Sequence, residues 1–189
     1  MLIQNSFEIP LPPQQAWTVL MDIPRIAPCM PGAELVGQAP DGGYLGKVSV
    51  KLGPVALSFN GVAHFIERDE AAKVAKVKAQ GSDQKGRGDA SAVIEFRLSP
   101  AGQGSRVDIS TDVTLSGLVA QYGRGAGLIQ AVATKLVNQF ASNLSSMIAA
   151  PSSSSSSVLG APAMPAKPIS GFSLVFSAFW QSIRGLWSR

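Results

Sequence analysis

Hydrophobic positions set the reading of this chain. Ile129, Val132, Leu136, Phe140, Leu144 and Met147 recur every three or four residues, the spacing of one face of an α-helix. Val137 and Ile148 widen that stripe, while Gln130, Thr134, Lys135, Asn138, Ser142 and Ser145 fall largely off it. The pattern predicts one long helix over Leu118–Ala149, with a stripe broad enough to face a core or the wall of a cavity. Ahead of it the period changes to two. Val48, Val50 and Leu52 alternate with Lys47, Ser49 and Lys51, and Val55, Leu57 and Phe59 share a side. Ala92, Ile94, Phe96 and Leu98 alternate with Val93, Glu95 and Arg97, and Val107–Leu115 repeats the pattern against Asp108, Ser110, Asp112 and Thr114. Half-apolar strands of this kind belong to an antiparallel sheet covered on one side.

Turn signals complete the order of elements. Leu2–Pro10 reads as a first strand, and Pro12-Pro13 opens a short helix over Gln14–Met21. Asp22–Met30 is a second short helix or turn, limited by Pro24, Pro28 and Pro31. Glu34–Gln38 follows, then Asp41-Gly-Gly43 turns into Tyr44–Leu52 and Gly53-Pro54 into Val55–Ile66. Lys73–Gln80 continues the meander, Gly81–Gly88 is expected to be a loop, and Ala101–Gly104 returns the chain. Strands followed by a terminal helix define an α+β fold. The expectation is a curved antiparallel sheet of about seven strands wrapped round a long C-terminal helix, with two short helices after the first strand. Many alanines and glycines on the gripping surfaces leave a space there that side chains need not fill.

Composition divides the chain. Residues 1–149 form the expected domain, 150–170 a Ser/Pro-rich linker with serine at 152–157, and 171–189 a last segment. In that segment Phe172, Val175, Phe176, Phe179, Trp180, Ile183, Leu186 and Trp187 keep helical spacing. They occupy an arc of roughly 140°, opposite Ser173, Ser177, Gln181, Arg184 and Ser188. Aromatic residues on one face and polar ones on the other suit a helix lying in a bilayer interface; the alternative is a helix docked in a partner protein's groove. Residues 113–189 hold Arg124, Lys135, Lys167, Arg184 and Arg189 and no acid, whereas residues 1–112 hold 11 Lys/Arg and 12 Asp/Glu. A basic end fits an anionic surface, but its charges are too dilute for nucleic acid. One cysteine, Cys29, fits a reducing compartment, and neither a signal peptide nor a membrane-spanning run is visible. The expected location is cytoplasmic, peripheral on the inner face of the cytoplasmic membrane.

Candidate chemistry is sparse. His64 has no partner that the sequence supplies, and a pairing with Cys29 is only formally open. No Cys/His spacing suits zinc, so neither metal nor catalytic residues are expected. Gly123-Arg-Gly-Ala-Gly127 opens a helix but lacks the following Gly-Lys-Ser/Thr of a phosphate loop. Gly86-Arg-Gly-Asp-Ala90 reads as a glycine turn with Arg87 and Asp89 forming a local pair, or as a cap on the cavity mouth or a partner contact.

Four stretches carry a resemblance. Met30-Pro-Gly32, the Gly86-Arg-Gly-Asp-Ala90 turn, and Leu115-Ser-Gly-Leu-Val-Ala-Gln-Tyr-Gly-Arg-Gly125 with Phe140-Ala-Ser-Asn-Leu144 resemble the CoxG family of carbon monoxide dehydrogenase. That family belongs to the lipid-transfer-like helix-grip superfamily. The resemblance implies a helix-grip domain with an apolar cavity, and no molybdenum, iron–sulfur or flavin site of its own. It implies a partner, a molybdenum hydroxylase of the carbon monoxide dehydrogenase or xanthine dehydrogenase type, which the protein brings to the membrane. In some members it also implies a respiratory quinone held in the cavity.

The leading expectation is therefore a non-catalytic accessory protein that binds a hydrophobic small molecule such as a quinone or lipid. Phe59, Phe65, Leu115, Leu118, Tyr122, Leu128 and Val132 are expected to line the cavity, with Gly123, Gly125 and Gly127 keeping its mouth open. The alternatives are an adaptor with no ligand, and a hydrolase or cyclase with His64, Glu67 or Asp112 turned inward.

Overall fold

A computed structural model describes residues 1–53, 55–122 and 126–150. The chain runs β1 (Leu2–Ile9), α1 (Pro13–Met21), α2 (Ile23–Ile26), a 3-10 turn (Ala27–Cys29), then β2 (Ala33–Gln38) and β3 (Tyr44–Leu52). It continues through β4 (Val55–Asp69), β5 (Val74–Asp83), β6 (Asp89–Ala101), β7 (Gly104–Leu115), α3 (Val119–Tyr122) and α4 (Ala126–Ala149). Seven strands form one antiparallel sheet in the order β1-β7-β6-β5-β4-β3-β2. Every expected strand is present. One expectation fails: Gly81 is not in a loop, because β5 extends to Asp83 and Gly81 pairs with Gly61 and Ala90. The expected single helix is described as α3 and α4, with Leu118 ahead of the first.

The elements form for local reasons. Pro13 in the first turn of α1 has no N–H to waste, and the Asp22 carboxylate accepts the Arg25 amide to cap α2. The Asp41 carboxylate likewise accepts the Gly43 amide at 3.1 Å in the β2–β3 turn. Bulges between Leu35 and Gly37 and between Phe65 and Glu67 bend the sheet. Between them Gly61 meets Gly81 so closely that a Cβ on Gly61 would lie 2.3 Å from the Gln80 carbonyl oxygen. Only glycine fits such a bend.

The core is not uniform along α4. Phe140 and Leu144 are buried in a cluster with Phe7, Ile9, Trp17, Leu20, Leu98 and Val107. The Phe7 and Phe140 rings meet edge to face at 5.7 Å. In the first half of α4, Ile129, Val132, Ala133 and Leu136 are only half-buried. There a second, smaller cluster of Leu52, Leu57 and Val119 receives Leu115, Phe59 and Val132. The last turns of α4 thus hold the helix to the sheet. Phe140→Ala is expected to cost about 3–5 kcal/mol in chemical unfolding, and Leu136→Ala clearly less, since Leu136 is not fully buried.

Candidate functional site

Between the two clusters the concave face of the sheet is floored by small residues. Register places Gly46, Gly61, Gly81 and Ala90 in one row across β3 to β6, ending at Leu115 on β7. The next row is Tyr44, Ala63, Ala79, Ala92 and Val113. Side chains of one carbon or none cannot reach up to a helix. A hollow of about 240 Å³ remains above them, lined also by Val48 and Phe59. A second hollow of about 180 Å³ lies towards α1 and α2, walled by Leu20, Ile26, Met30, Val77, Ile94, Phe96, Val137 and Phe140. Their floors adjoin: Val77 and Ile94 are the next inward-facing positions after Ala79 and Ala92. Phe59, Phe65, Phe96, Ile94 and Ile109 are all only half-buried, so apolar surface faces the space.

The expected lining residues divide into three groups. Phe59 lines the larger hollow, and Leu115 and Val132 pack beside it in the smaller cluster. Phe65 sits edge-on to Tyr44, with centroids 6.4 Å apart, and packs against the main core. Leu118 and Leu128 are 53% and 41% exposed, standing at the rim. A Cβ on Gly127 would meet nothing within 4 Å, so open space surrounds that position. Gly123, Gly125 and the side chain of Tyr122 lie outside the described residues, as do the membrane-face positions from Phe172 to Trp187. Tyr44, Val48, Ala79, Ala92 and Val113 escaped the sequence reading. Their signal was small residues in the inward phase of consecutive strands, which points to a hollow only once register is known.

The sequence motifs form two clamps, one at each end of the hollow. At the α3 end, the Asp83 side chain is 0% exposed and takes Nε and Nη2 of Arg87 at 2.7 and 2.8 Å. It also accepts the Ser58, Lys85 and Arg87 amides, while Arg87 Nη2 donates to the Ala56 carbonyl at 3.0 Å. The Arg87 guanidinium, with those amides, holds the Asp83 carboxyl far below the usual carboxylate range against the opposing effect of burial. The expected Arg87–Asp89 pair is thereby corrected. Asp89 instead accepts from the Ser82 and Ser116 hydroxyls at 2.6 and 3.2 Å. The turn is pressed onto the start of α3: Val119 N–H donates to the Arg87 carbonyl, and Ser116 N–H to that of Asp89. Gly88, at φ 139°, leaves no room for a Cβ, which would fall 2.1 Å from the Ser116 carbonyl oxygen.

At the other end, Asn143 Nδ2 donates to the Cys29 carbonyl at 2.9 Å, joining α4 to the turn before Met30-Pro-Gly32. Ser49 N–H donates to the Gly32 carbonyl, tying that turn to β3. Burial pushes the Cys29 thiol up, and its sulfur lies 3.8 Å from that of Met147. His64 is not its partner: the imidazole meets Asp41 at 3.1 Å. Glu67 pairs with Lys76 at 2.7 Å and Asp112 with the N-terminal ammonium at 2.9 Å. None of these carboxylates, nor His64, lines either hollow. Among the described residues no three His, Cys, Asp or Glu side chains cluster, and no helix is long and apolar enough to cross a membrane.

A bent antiparallel sheet closed by a terminal helix over an apolar hollow defines a helix-grip protein. A profile of the CoxG family, the G subunits of carbon monoxide dehydrogenase, matches residues 6–149, and the chain belongs to that family. Solved structures show the same fold. A conserved protein from Geobacillus kaustophilus superposes with a TM-score of 0.65 at 20% identity, covering 79% of this chain and 95% of its own. A Thermus thermophilus protein gives 0.57 at 17%, covering 81% and 100%. An aromatase/cyclase from Streptomyces gives 0.52 at 12%, covering 77% and 92%. None of the curated proteins matches the chain.

The Asp83–Arg87 clamp makes a pH-dependent contribution. Asp83 has a lowered pKa in the folded state, so its stabilisation is complete above about pH 4 and fades as pH falls towards the folded value. Arg87→Ala is expected to lower the thermal midpoint at pH 7 far more than Lys76→Met, which breaks only exposed pairs. In acid the deficit of the Arg87 variant shrinks, as calorimetry across pH would show.

Proposed function

We propose that this protein is a non-catalytic accessory protein that carries an apolar ligand, such as an isoprenoid quinone or lipid, in the hollow. It also recruits a molybdenum hydroxylase of the carbon monoxide dehydrogenase type to the cytoplasmic face of the membrane. Family membership supports the partner. The observation that carries the ligand is the Gly/Ala floor, which leaves phenylalanine and isoleucine side chains facing an unfilled space. Empty apolar surface costs the contacts that close packing supplies, and a hydrocarbon chain restores them. The walls fit such a group: apart from Gln80 and Ser91 they are aliphatic, aromatic or glycine, with no ionisable side chain besides the Tyr44 phenol. The polar groups a cyclase or hydrolase would need lie off the hollow and are bonded elsewhere. The membrane attachment is supported by the helical periodicity of the aromatic residues between Phe172 and Trp187.

Solvent extraction of the purified full-length protein, followed by mass spectrometry, tests the ligand. An isoprenoid or acyl species is expected to co-purify, and Ala79→Leu with Ala92→Leu is expected to remove it while leaving the unfolding midpoint unchanged or higher. Protein that yields no such species, in wild-type form, would be an adaptor without cargo. Deleting residues 171–189 is expected to abolish flotation with liposomes and to spare binding to the enzyme; flotation that survives the deletion places the anchor elsewhere.

A further inference from the structure

The two hollows differ in one respect. Aliphatic, aromatic and methionine side chains alone line the smaller, and none of them donates a hydrogen bond. The larger is bordered by three residues with polar side chains, Tyr44, Gln80 and Ser91. Gln80 stands between Ala79 and Gly81, and Ser91 between Ala90 and Ala92, so strand alternation turns both side chains to the convex face. Tyr44 is in the inward phase, in the row of Ala63, Ala79, Ala92 and Val113, and is the only ring in it. That ring meets Phe65 edge-on, with centroids 6.4 Å apart and planes at 80°. Phe65 in turn packs against the main core and carries the Arg68 guanidinium 3.8 Å over its ring. Among the described residues no hydrogen bond engages the Tyr44 hydroxyl, and no side-chain oxygen is both buried and unbonded. The hydroxyl therefore stands at open space, on a side chain that lines the hollow.

We propose that Tyr44 selects the ligand, its hydroxyl donating to a carbonyl oxygen on an otherwise apolar molecule. The site then takes a carbonyl-bearing hydrocarbon in preference to a plain one. A carbonyl that enters an apolar hollow leaves its water partners behind, and one protein donor offsets that loss. A neutral phenol supplies the bond without a charge that burial would penalise. With one inward donor beside the larger hollow and none in the smaller, the ligand is also oriented. Its carbonyl end lies by Tyr44, over the alanine floor, and its hydrocarbon end reaches Val77 and Ile94. The inference deepens the carriage reading and rests on it.

The test compares two probes on the full-length protein by equilibrium dialysis. One is trimethylhexyl-para-benzoquinone, whose ring has no free position for a thiol to attack, and the other is trimethylhexylbenzene, which lacks the carbonyls. Tyr44→Phe is expected to weaken quinone binding by roughly fivefold and to leave hydrocarbon binding unchanged, because the ring that meets Phe65 remains. In infrared difference spectra of the wild-type complex, one quinone carbonyl band is expected below its position in hydrocarbon solvent. In the Tyr44→Phe complex that band is expected to return. Quinone that binds the variant as tightly as the wild type, with its carbonyl band unmoved between the two, overturns the proposal and leaves carriage standing. Equal weakening of both probes overturns it as well, since Tyr44 would then be only a piece of the wall. Wild-type protein that takes up neither probe removes the carriage reading, and the proposal with it.

Discussion

The structure depends on a mismatch of reach. A sheet bent at Gly61 and Gly81 brings its concave face round towards α4, yet the side chains at the centre of that face are hydrogen atoms and methyl groups. Dense packing, the usual outcome of hydrophobic burial, is achieved only where long side chains return. Towards α1 these are Phe7, Phe140 and Leu144, and towards α3 they are Leu52, Leu57 and Val119. Between these two ends the first half of α4 is only half-buried, with Gln130 and Thr134 bonded to Gln4 and Asn5 of β1.

Both ends are fastened by polar bonds as well. Asp83 and Arg87 lock the turn that seats α3, and Asn143 ties α4 to the carbonyl of Cys29. These residues lie in or beside the motifs that carry the family resemblance, so the motifs mark where the turns before α3 and beside α4 are fastened. The chemistry of the hollow is accordingly that of exclusion: apolar walls, with His64 and the carboxylates bonded elsewhere. Membership of the CoxG family gives that hollow a setting beside a redox enzyme.

Much of the fold was legible because its signals are local. Alternation marked the strands, Asp41-Gly-Gly43 the hairpin, and the 3.6-residue period the long helix. The site was legible only in outline. Gly46, Gly61, Gly81 and Ala90 are far apart in sequence and become neighbours through register, which a single sequence does not display. Arg87 chose Asp83 over Asp89 because β5 runs on to Asp83 and buries it, an extension hidden by the glycines that suggested a loop. The helical stripe showed which face of α4 turns inward, but the same leucine and valine spacing describes a face on a core and a face on a void. Phe140 meets the first and Val132 stands near the second.

The central claim, that the floor is bare and receives a hydrocarbon, is tested most directly by nuclear magnetic resonance of alanine methyl groups in the full-length protein. Titration with an isoprenoid quinone should shift the Ala63, Ala79 and Ala92 methyls and give ligand-to-methyl Overhauser contacts, with Ala71, in the exposed β4–β5 turn, unmoved. Floor methyls that ignore the ligand, and that already show contacts to α4 side chains in its absence, would mean a filled interior and would contradict the account.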